Sequence, residues 1–437
     1  MATKHPKGLS ILFFTEMWER FSFYGMRAIL VLYLTKQTMG DNPGLGWSDT
    51  DALALYGWYT MLVYVMSIPG GILADRVLGQ KKTVFLGGIL IAAGQLTLAF
   101  ANMAAFYSGL ALIISGVGCL KPNISTMVGG LYKEGDPRRD SGFTIFYIGI
   151  NIGAATAPLL VGYIGEVYGW HYGFALAGIG MILGQGVYIW GQKFLKEVGN
   201  YVPVKKVEGT KANAPLTKIE KDRVVVLLIS FIIVIVFWGA YEQAGGLMNL
   251  YTQEKINRVI LGWEIPASLF QSVPAFFVII FGTIVANFWM KRHLKGKEAS
   301  SLFKMAVGII VSGTGFLMMS GAALEAMGGG KAMLIWLILS YLLQVLGELS
   351  LSPVALSFIT KLAPVKYASI MMGVYFAATG LGNKLAGLVG ELATHAGELE
   401  VFTGIFVFCL AFGVLLLVFF RKLKALTHGA EEINHAA

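Results

Sequence analysis

At 437 residues, with 56% hydrophobic and only 14% charged side chains and a mean hydropathy of +0.67, the chain is too apolar for a soluble domain, where roughly a quarter of residues carry charge. Its 2 cysteines, Cys119 and Cys409, lie in apolar runs, which excludes a disulfide framework and a cysteine-rich metal site. The net charge of +9 is dispersed over short loops, which excludes nucleic acid as a partner.

The opening residues MATKHPKGLS are basic and lead into an apolar run that contains charges and lacks a small-residue cleavage site, so they read as the start of a retained helix. An apolar run must reach roughly 20 residues to cross about 30 Å of hydrocarbon. On that measure the sequence predicts twelve spans, near 10–36, 51–73, 83–101, 105–130, 142–165, 172–195, 223–252, 266–290, 302–322, 332–360, 367–390 and 400–420. With the N-terminus in the cytoplasm, Arg76, Lys81, Lys82, Arg138, Arg139 and the runs Lys193 to Arg223 and Lys291 to Lys304 fall on one side. Lys36, Lys255, Arg258 and Lys331 fall on the other. That asymmetry predicts a multi-pass plasma membrane protein, a bacterial inner membrane protein, with both termini cytoplasmic.

The first span, with FFTEMWERFSFYGMRAIL at residues 13–30, carries Glu16, Glu19, Arg20 and Arg27. At about 100° per residue these four and Tyr24 share one face of a helix. Glu16 and Arg20 are spaced i,i+4 and pair locally, but Arg27 needs a partner from another helix. Further along, Lys121, Glu242, Glu348 and Lys384 also fall inside spans. Each costs about 2.5–3.5 kcal/mol at mid-depth, so these groups pair with one another or line water. Lys384, near an outer helix end, is expected to snorkel.

The second span ends in GGILADRVLGQKK, where Asp75, Arg76 and Lys81 form a candidate cytoplasmic latch. The eighth ends in GTIVANFWMKRHLKGK, an echo that shares a glycine (Gly71, Gly282) and the basic tail but lacks the acid. The longest polar interruption, 196–222, divides the chain into an N-terminal six-helix bundle (1–195) and a C-terminal one (223–424), followed by a tail (425–437). Six-helix repeats of this kind belong to secondary transporters that rock about a midplane site.

GGILADRVLGQKK resembles the motif joining the second and third helices in the major facilitator superfamily. Glu16-Met-Trp-Glu19-Arg20-Phe21-Ser-Phe23-Tyr24-Gly25 is similar to the first-helix motif E-x-x-E-R-F-x-Y-Y-G of the proton-dependent oligopeptide transporter family of that superfamily, with Phe23 replacing its first tyrosine. Phe146-Tyr147 through Ile150-Asn151 to Gly153, Gly118 to Asn123 around Lys121, Phe237-Trp238 through Glu242-Gln243, and Gly347-Glu348 to Pro353 resemble that family's signatures in the fifth, fourth, seventh and tenth helices.

The resemblance implies an all-α major facilitator fold and proton-coupled symport of di- and tripeptides into the cytoplasm by alternating access. Glu16, Glu19 and Arg20 would couple the proton. Arg20, Tyr24, Arg27, Tyr64, Lys121, Asn151, Trp238 and Glu348 would bind substrate. Arg27 with Glu242, and Lys121 with Glu348, would be gating salt bridges. It implies no catalytic residue, no metal and no cofactor beyond protons, with small peptides, protons and the lipid bilayer as partners of a monomer.

Two departures stand out. The eighth-helix stretch Leu269 to Ala275 lacks the asparagine the family usually offers to the peptide amino end, a contact either missing or supplied otherwise, with Gln271 a candidate, and the linker is too short for the two extra helices of many bacterial members. The six histidines, His5, His171, His293, His395, His428 and His435, lie in tails, loops and helix ends, which leaves the proton to carboxylates. The same fold carrying another organic anion or a drug is the alternative; retained Glu16, Glu19 and Glu348 favour peptide. No zinc, nucleophile-elbow or phosphate-loop motif supports a membrane-embedded enzyme.

Overall fold

The computed structural model describes residues 4–133, 136, 138–196, 198–200, 216–364 and 368–430. Most of the expected linker 196–222 and the end of the tail, 431–437, lie outside them. The fold is predominantly helical, in twelve long stretches among the described residues. The first six are α1 (Lys7–Thr35), α2 (Asp49–Val65, continued by Ser67–Leu73 and a π-turn, Ala74–Leu78), α3 (Gln80–Leu98), α4 (Met103–Gly130), α5 (Arg139–Ala157, continued by a π-turn, Pro158–Gly162, and Tyr163–Val167) and α6 (Trp170–Gly191). The others are α7 (Lys218–Tyr241), α8 (Val273–Leu294), α9 (Ser301–Ala326), α10 (Leu334–Leu362), α11 (Ala368–Ala396) and α12 (Glu398–Ala425).

Nine of these stretches, among the described residues, are long and apolar enough to cross a membrane by composition alone. The other three are α1, with its acids and arginines, α3, with Lys81 and Lys82 in its first turn, and α11, with Lys384 and Glu391. Helix starts follow ordinary capping chemistry. Ser48 accepts from the Asp51 amide at 3.1 Å, Asn102 from that of Ala105 at 2.8 Å, and Thr217 with Glu220 closes a reciprocal capping box.

The chain divides into two compact units, Met1–Lys206 with Val259–Phe276, and Val207–Arg258 with Phe277–Ala437. The segment Val259–Phe276 therefore groups with the first unit although its flanking chain belongs to the second. It holds a two-residue hairpin, Val259–Ile260 against Trp263–Glu264, and a 3-10 segment, Ala267–Ser272. Leu261 and Gly262 turn the hairpin with φ of 51° and 80°, the two positive angles that a tight hairpin turn requires. The Glu166 carboxylate accepts the amides of Ser268 at 2.7 Å and Ala267 at 3.3 Å, fixing the start of the 3-10 segment.

In the first unit, Pro122 inside α4 has no N–H to give the Gly118 carbonyl. Gly70 packs so close to that carbonyl that a Cβ on it would lie 2.0 Å from the oxygen, whereas Gly71 beside it faces open space. Asn123 staples the crossing, its Nδ2 lying 2.7 Å from the Cys119 carbonyl and 3.3 Å from that of Gly70. These contacts hold α2 against α4 and fix Tyr64 and Lys121. Each unit also brings its third and fourth helices together on a glycine pair, Gly87 with Gly116 and Gly308 with Gly347. Lys121 and Glu348 thus occupy the fourth helix of their respective units.

Candidate functional site

The α1 face is buried, as its charge content demands. Glu16 is 2%, Glu19 0% and Arg20 3% exposed. Arg20 Nε lies 3.1 Å from Glu16 Oε1 and also pairs with Glu19. The cluster is incompletely satisfied: among the described residues, Glu16 Oε2, Glu19 Oε1 and one terminal nitrogen of Arg20 have no hydrogen-bond partner. Two buried carboxylates thus share one directly paired guanidinium, and a buried charge left uncompensated costs several kcal/mol.

The rest of the first-unit group assembles around this core. The Arg20 guanidinium lies 5.3 Å from the Phe23 ring centroid and 6.0 Å from that of Tyr24, and the Arg27 guanidinium lies 5.7 Å from the Tyr24 centroid. Lys121 Nζ sits 3.7 Å from the centroid of the Tyr64 ring, a cation–π geometry. Lys121 also feels the charges of Arg20, Glu19 and Glu16. Tyr24 packs on Ala154, Ala155 and Ala275. Asn151 is buried and donates its Nδ2 to the Tyr147 carbonyl of its own helix at 2.9 Å. Arg27 Nε donates to the Tyr56 hydroxyl at 2.8 Å, a partner that no sequence motif signals.

In the second unit, Tyr241 donates to Glu348 Oε2 at 2.5 Å, and its ring lies 5.5 Å from that of Trp238. Tyr241 falls inside the quoted seventh-helix pattern yet is absent from the expected site. Glu242 follows, buried in a 3-10 turn, Glu242–Ala244. Lys384, expected to snorkel, pairs instead with Glu391 at 3.4 Å, two turns along α11. Arg27 and Glu242 belong to different units, as do Lys121 and Glu348.

The latch residues stand at the other end of α2. Asp75 and Arg76 are exposed in the π-turn, and Lys81 Nζ meets Asn200 Oδ1 at 3.2 Å. No ion pair joins Asp75, Arg76 and Lys81 to one another among the described residues.

With this geometry in place, known proteins can be compared. A family model described as the POT family matches residues 81–208 and 203–405. The chain is 39% identical to an uncharacterized transporter of Bacillus subtilis, over 97% of this chain and 96% of that protein. It is 35% identical to a peptide transporter of Yersinia enterocolitica, over 98% and 97% of the two chains. A crystal structure of a peptide transporter POT in complex with sulfate superposes with a TM-score of 0.90 at 36% identity, covering 98% of this chain and 96% of that one.

Proposed function

The chain belongs to the POT family, and on that premise we propose that it is a proton-coupled symporter of di- and tripeptides that works by alternating access. It is a membrane transporter and not an enzyme. A zwitterionic peptide needs fixed charges of both signs held several residues apart. Arg20 and Lys121 receive the carboxylate, and Glu348, steadied by Tyr241, receives the ammonium. Tyr24, Tyr64, Asn151 and Trp238 meet the peptide's side chains and amide.

The observation that carries the coupling is the buried Glu16–Arg20–Glu19 cluster, in which each acid keeps one oxygen without a hydrogen-bond partner among the described residues. A proton on either acid from outside leaves Arg20 less neutralised and better able to hold the peptide carboxylate. Its loss to the cytoplasm returns Arg20 to its acids and loosens the peptide. Each proton crossing supplies about 2.3 kcal/mol per 100 mV, enough for roughly 50-fold accumulation. Arg27 with Glu242 and Lys121 with Glu348 act as the gating pairs, and Asp75, Arg76 and Lys81 as the cytoplasmic latch. The protein acts as a monomer in a bacterial inner membrane with both termini cytoplasmic. Six-helix bundles at 1–195 and 223–424, joined by the linker 196–222 and followed by the tail 425–437, move about the site. Protons are the coupling ion and no cofactor is required.

Uptake of labelled di- and tripeptides into liposomes under an imposed pH gradient tests the reading. Gradient-dependent uptake, abolished when the gradient is collapsed, is expected. No such uptake across a broad peptide panel would assign the site to another organic anion.

A further inference from the structure

Beside the Glu16–Arg20–Glu19 cluster, three polar residues of the first unit are buried with an atom unsatisfied. Among the described residues, the hydroxyls of Ser22 and Tyr59, Gln95 Oε1 and Glu19 Oε1 have no hydrogen-bond partner. Ser22, Gln95 and Glu19 are 0% exposed and Tyr59 1%. The behaviour of Ser22 is unusual for a helix, where a serine or threonine hydroxyl bonds back to the preceding turn. Thr15 does so to the Ile11 carbonyl at 2.8 Å and Thr60 to that of Tyr56 at 2.7 Å.

Helix spacing and two contacts bring the four groups to one corner. At about 100° per residue, Ser22 lies about 60° round α1 from Glu19 on the side away from Arg20, and Phe23 about 40° from it on the other side. The Tyr59 ring of α2 stacks on Phe23, centroids 6.5 Å apart at 22°, and Tyr59 interacts electrostatically with Glu19, Arg20 and Arg27. Gln95 of α3 donates its Nε2 to the Ser22 carbonyl at 3.2 Å. Two hydroxyl donors and two oxygen acceptors are the complement of one water molecule, which donates twice and accepts twice. Buried polar groups left over by the protein are ordinarily met by such a water.

We infer that this corner binds an ordered water that accepts from the Tyr59 and Ser22 hydroxyls and donates to Glu19 Oε1 and Gln95 Oε1, making Tyr59 and Ser22 positioning residues for the Glu19 carboxylate. The water fixes one oxygen of Glu19 while the other stays on Arg20. The charged groups around Glu19 are Arg20 and Glu16 of its own helix and Lys121 of α4. Of the other elements packed on α1, the segment Ala267–Ser272 carries no charge, and α5 and α6 carry charged or histidine side chains only near their ends, at Arg139, Asp140, Glu166 and His171. A hydrogen bond donated to a carboxylate favours its charged form, so the corner sets how readily the cluster takes a proton. That consequence rests on the proton-coupling reading; the water site does not.

Crystal structures of the full-length protein and of Tyr59→Phe, at a resolution that shows ordered water, test the site. Water within hydrogen-bond distance of Glu19 Oε1 and the Tyr59 hydroxyl is expected, lost or displaced in Tyr59→Phe. The thermal midpoint of Tyr59→Phe should fall, because removing one partner of a satisfied buried network is destabilising, whereas removing a hydroxyl that bonds to nothing would raise it. In liposomes, the pH midpoint of gradient-driven dipeptide uptake should move up by about one pH unit. Ser22→Ala should act in the same direction and covers the case in which Tyr59→Phe fails to fold; Tyr33→Phe, near the far end of α1, should leave the pH midpoint unchanged. No ordered water at the corner, a raised thermal midpoint in Tyr59→Phe, or an equal pH shift in Tyr33→Phe would overturn the inference. Wild type without gradient-driven uptake would refute the coupling reading alone, and the density and thermal midpoint would still decide the water site.

Discussion

Tyr241 holds Glu348: the phenol donates to Oε2 at 2.5 Å, and its ring is fixed by stacking on Phe237, 5.4 Å away at 25°. Tyr241→Phe keeps the stacked ring and removes the donor. Hydrogen bonds to charged groups are worth about 1.5–3 kcal/mol, so KM for dipeptides should rise on the order of 10-fold. An N-acetylated dipeptide, which has no ammonium to place, should be less affected. Initial uptake rates on the two substrates check this; equal shifts would mean that Tyr241 does not act through Glu348.

Glu166 fixes the start of the 3-10 segment Ala267–Ser272 through two main-chain amides. Loss of such a cap costs about 0.5–2 kcal/mol. Glu166→Ala should therefore speed amide hydrogen exchange across Val259–Phe276 by roughly 2- to 30-fold while leaving the α3–α4 pair unchanged. Exchange mass spectrometry on peptides from both regions gives the comparison.

Gly70 and Gly71 should answer oppositely to the same change. A Cβ at Gly70 meets the Gly118 carbonyl oxygen at 2.0 Å, and one at Gly71 meets nothing within 4 Å. Main chain on both sides of a helix crossing yields only by separating the helices, at a typical cost of about 1–3 kcal/mol. Gly70→Ala should lower the thermal midpoint in detergent by several degrees, and Gly71→Ala should not.

Burial pushes the Glu298 carboxyl up, but hydrogen bonds from Ser300 and the Lys424 ammonium outweigh it and bring the pKa down from 4.5 to about 2. A carboxylate with a depressed folded-state pKa stabilises above its unfolded value and loses that contribution as pH falls through the folded one. The difference in thermal midpoint between wild type and Glu298→Gln should be constant above pH 5 and shrink as pH is lowered from 4.5 towards 2. A gap that widened on acidification would contradict the sign.

The twelve helices were legible because spans of about 20 apolar residues leave few alternatives, and the buried face of α1 because charges at helical spacing cannot face lipid. The partners were less so. Tyr56 with Arg27 and Tyr241 with Glu348 join residues 29 and 107 positions apart, and only the fold sets such distances. Lys384 with Glu391 was within reach, since seven residues are close to two turns, but a lysine near a helix end equally suits snorkelling. The hairpin at Val259 to Glu264 turns on Leu261, a residue that gives no turn signal. Of the glycine pair ending the second span, periodicity does not say that Gly70 and not Gly71 bears the crossing; that follows from the carbonyl freed by Pro122.

The central claim is that the α1 carboxylates sharing Arg20 carry the proton. The most direct measurement compares wild type and Glu16→Gln in liposomes, for dipeptide accumulation driven by a pH gradient and for exchange of labelled dipeptide at equal concentrations without one. Glu16→Gln should lose accumulation and keep exchange within a few-fold of wild type. Gradient-driven accumulation retained by Glu16→Gln would place the coupling elsewhere.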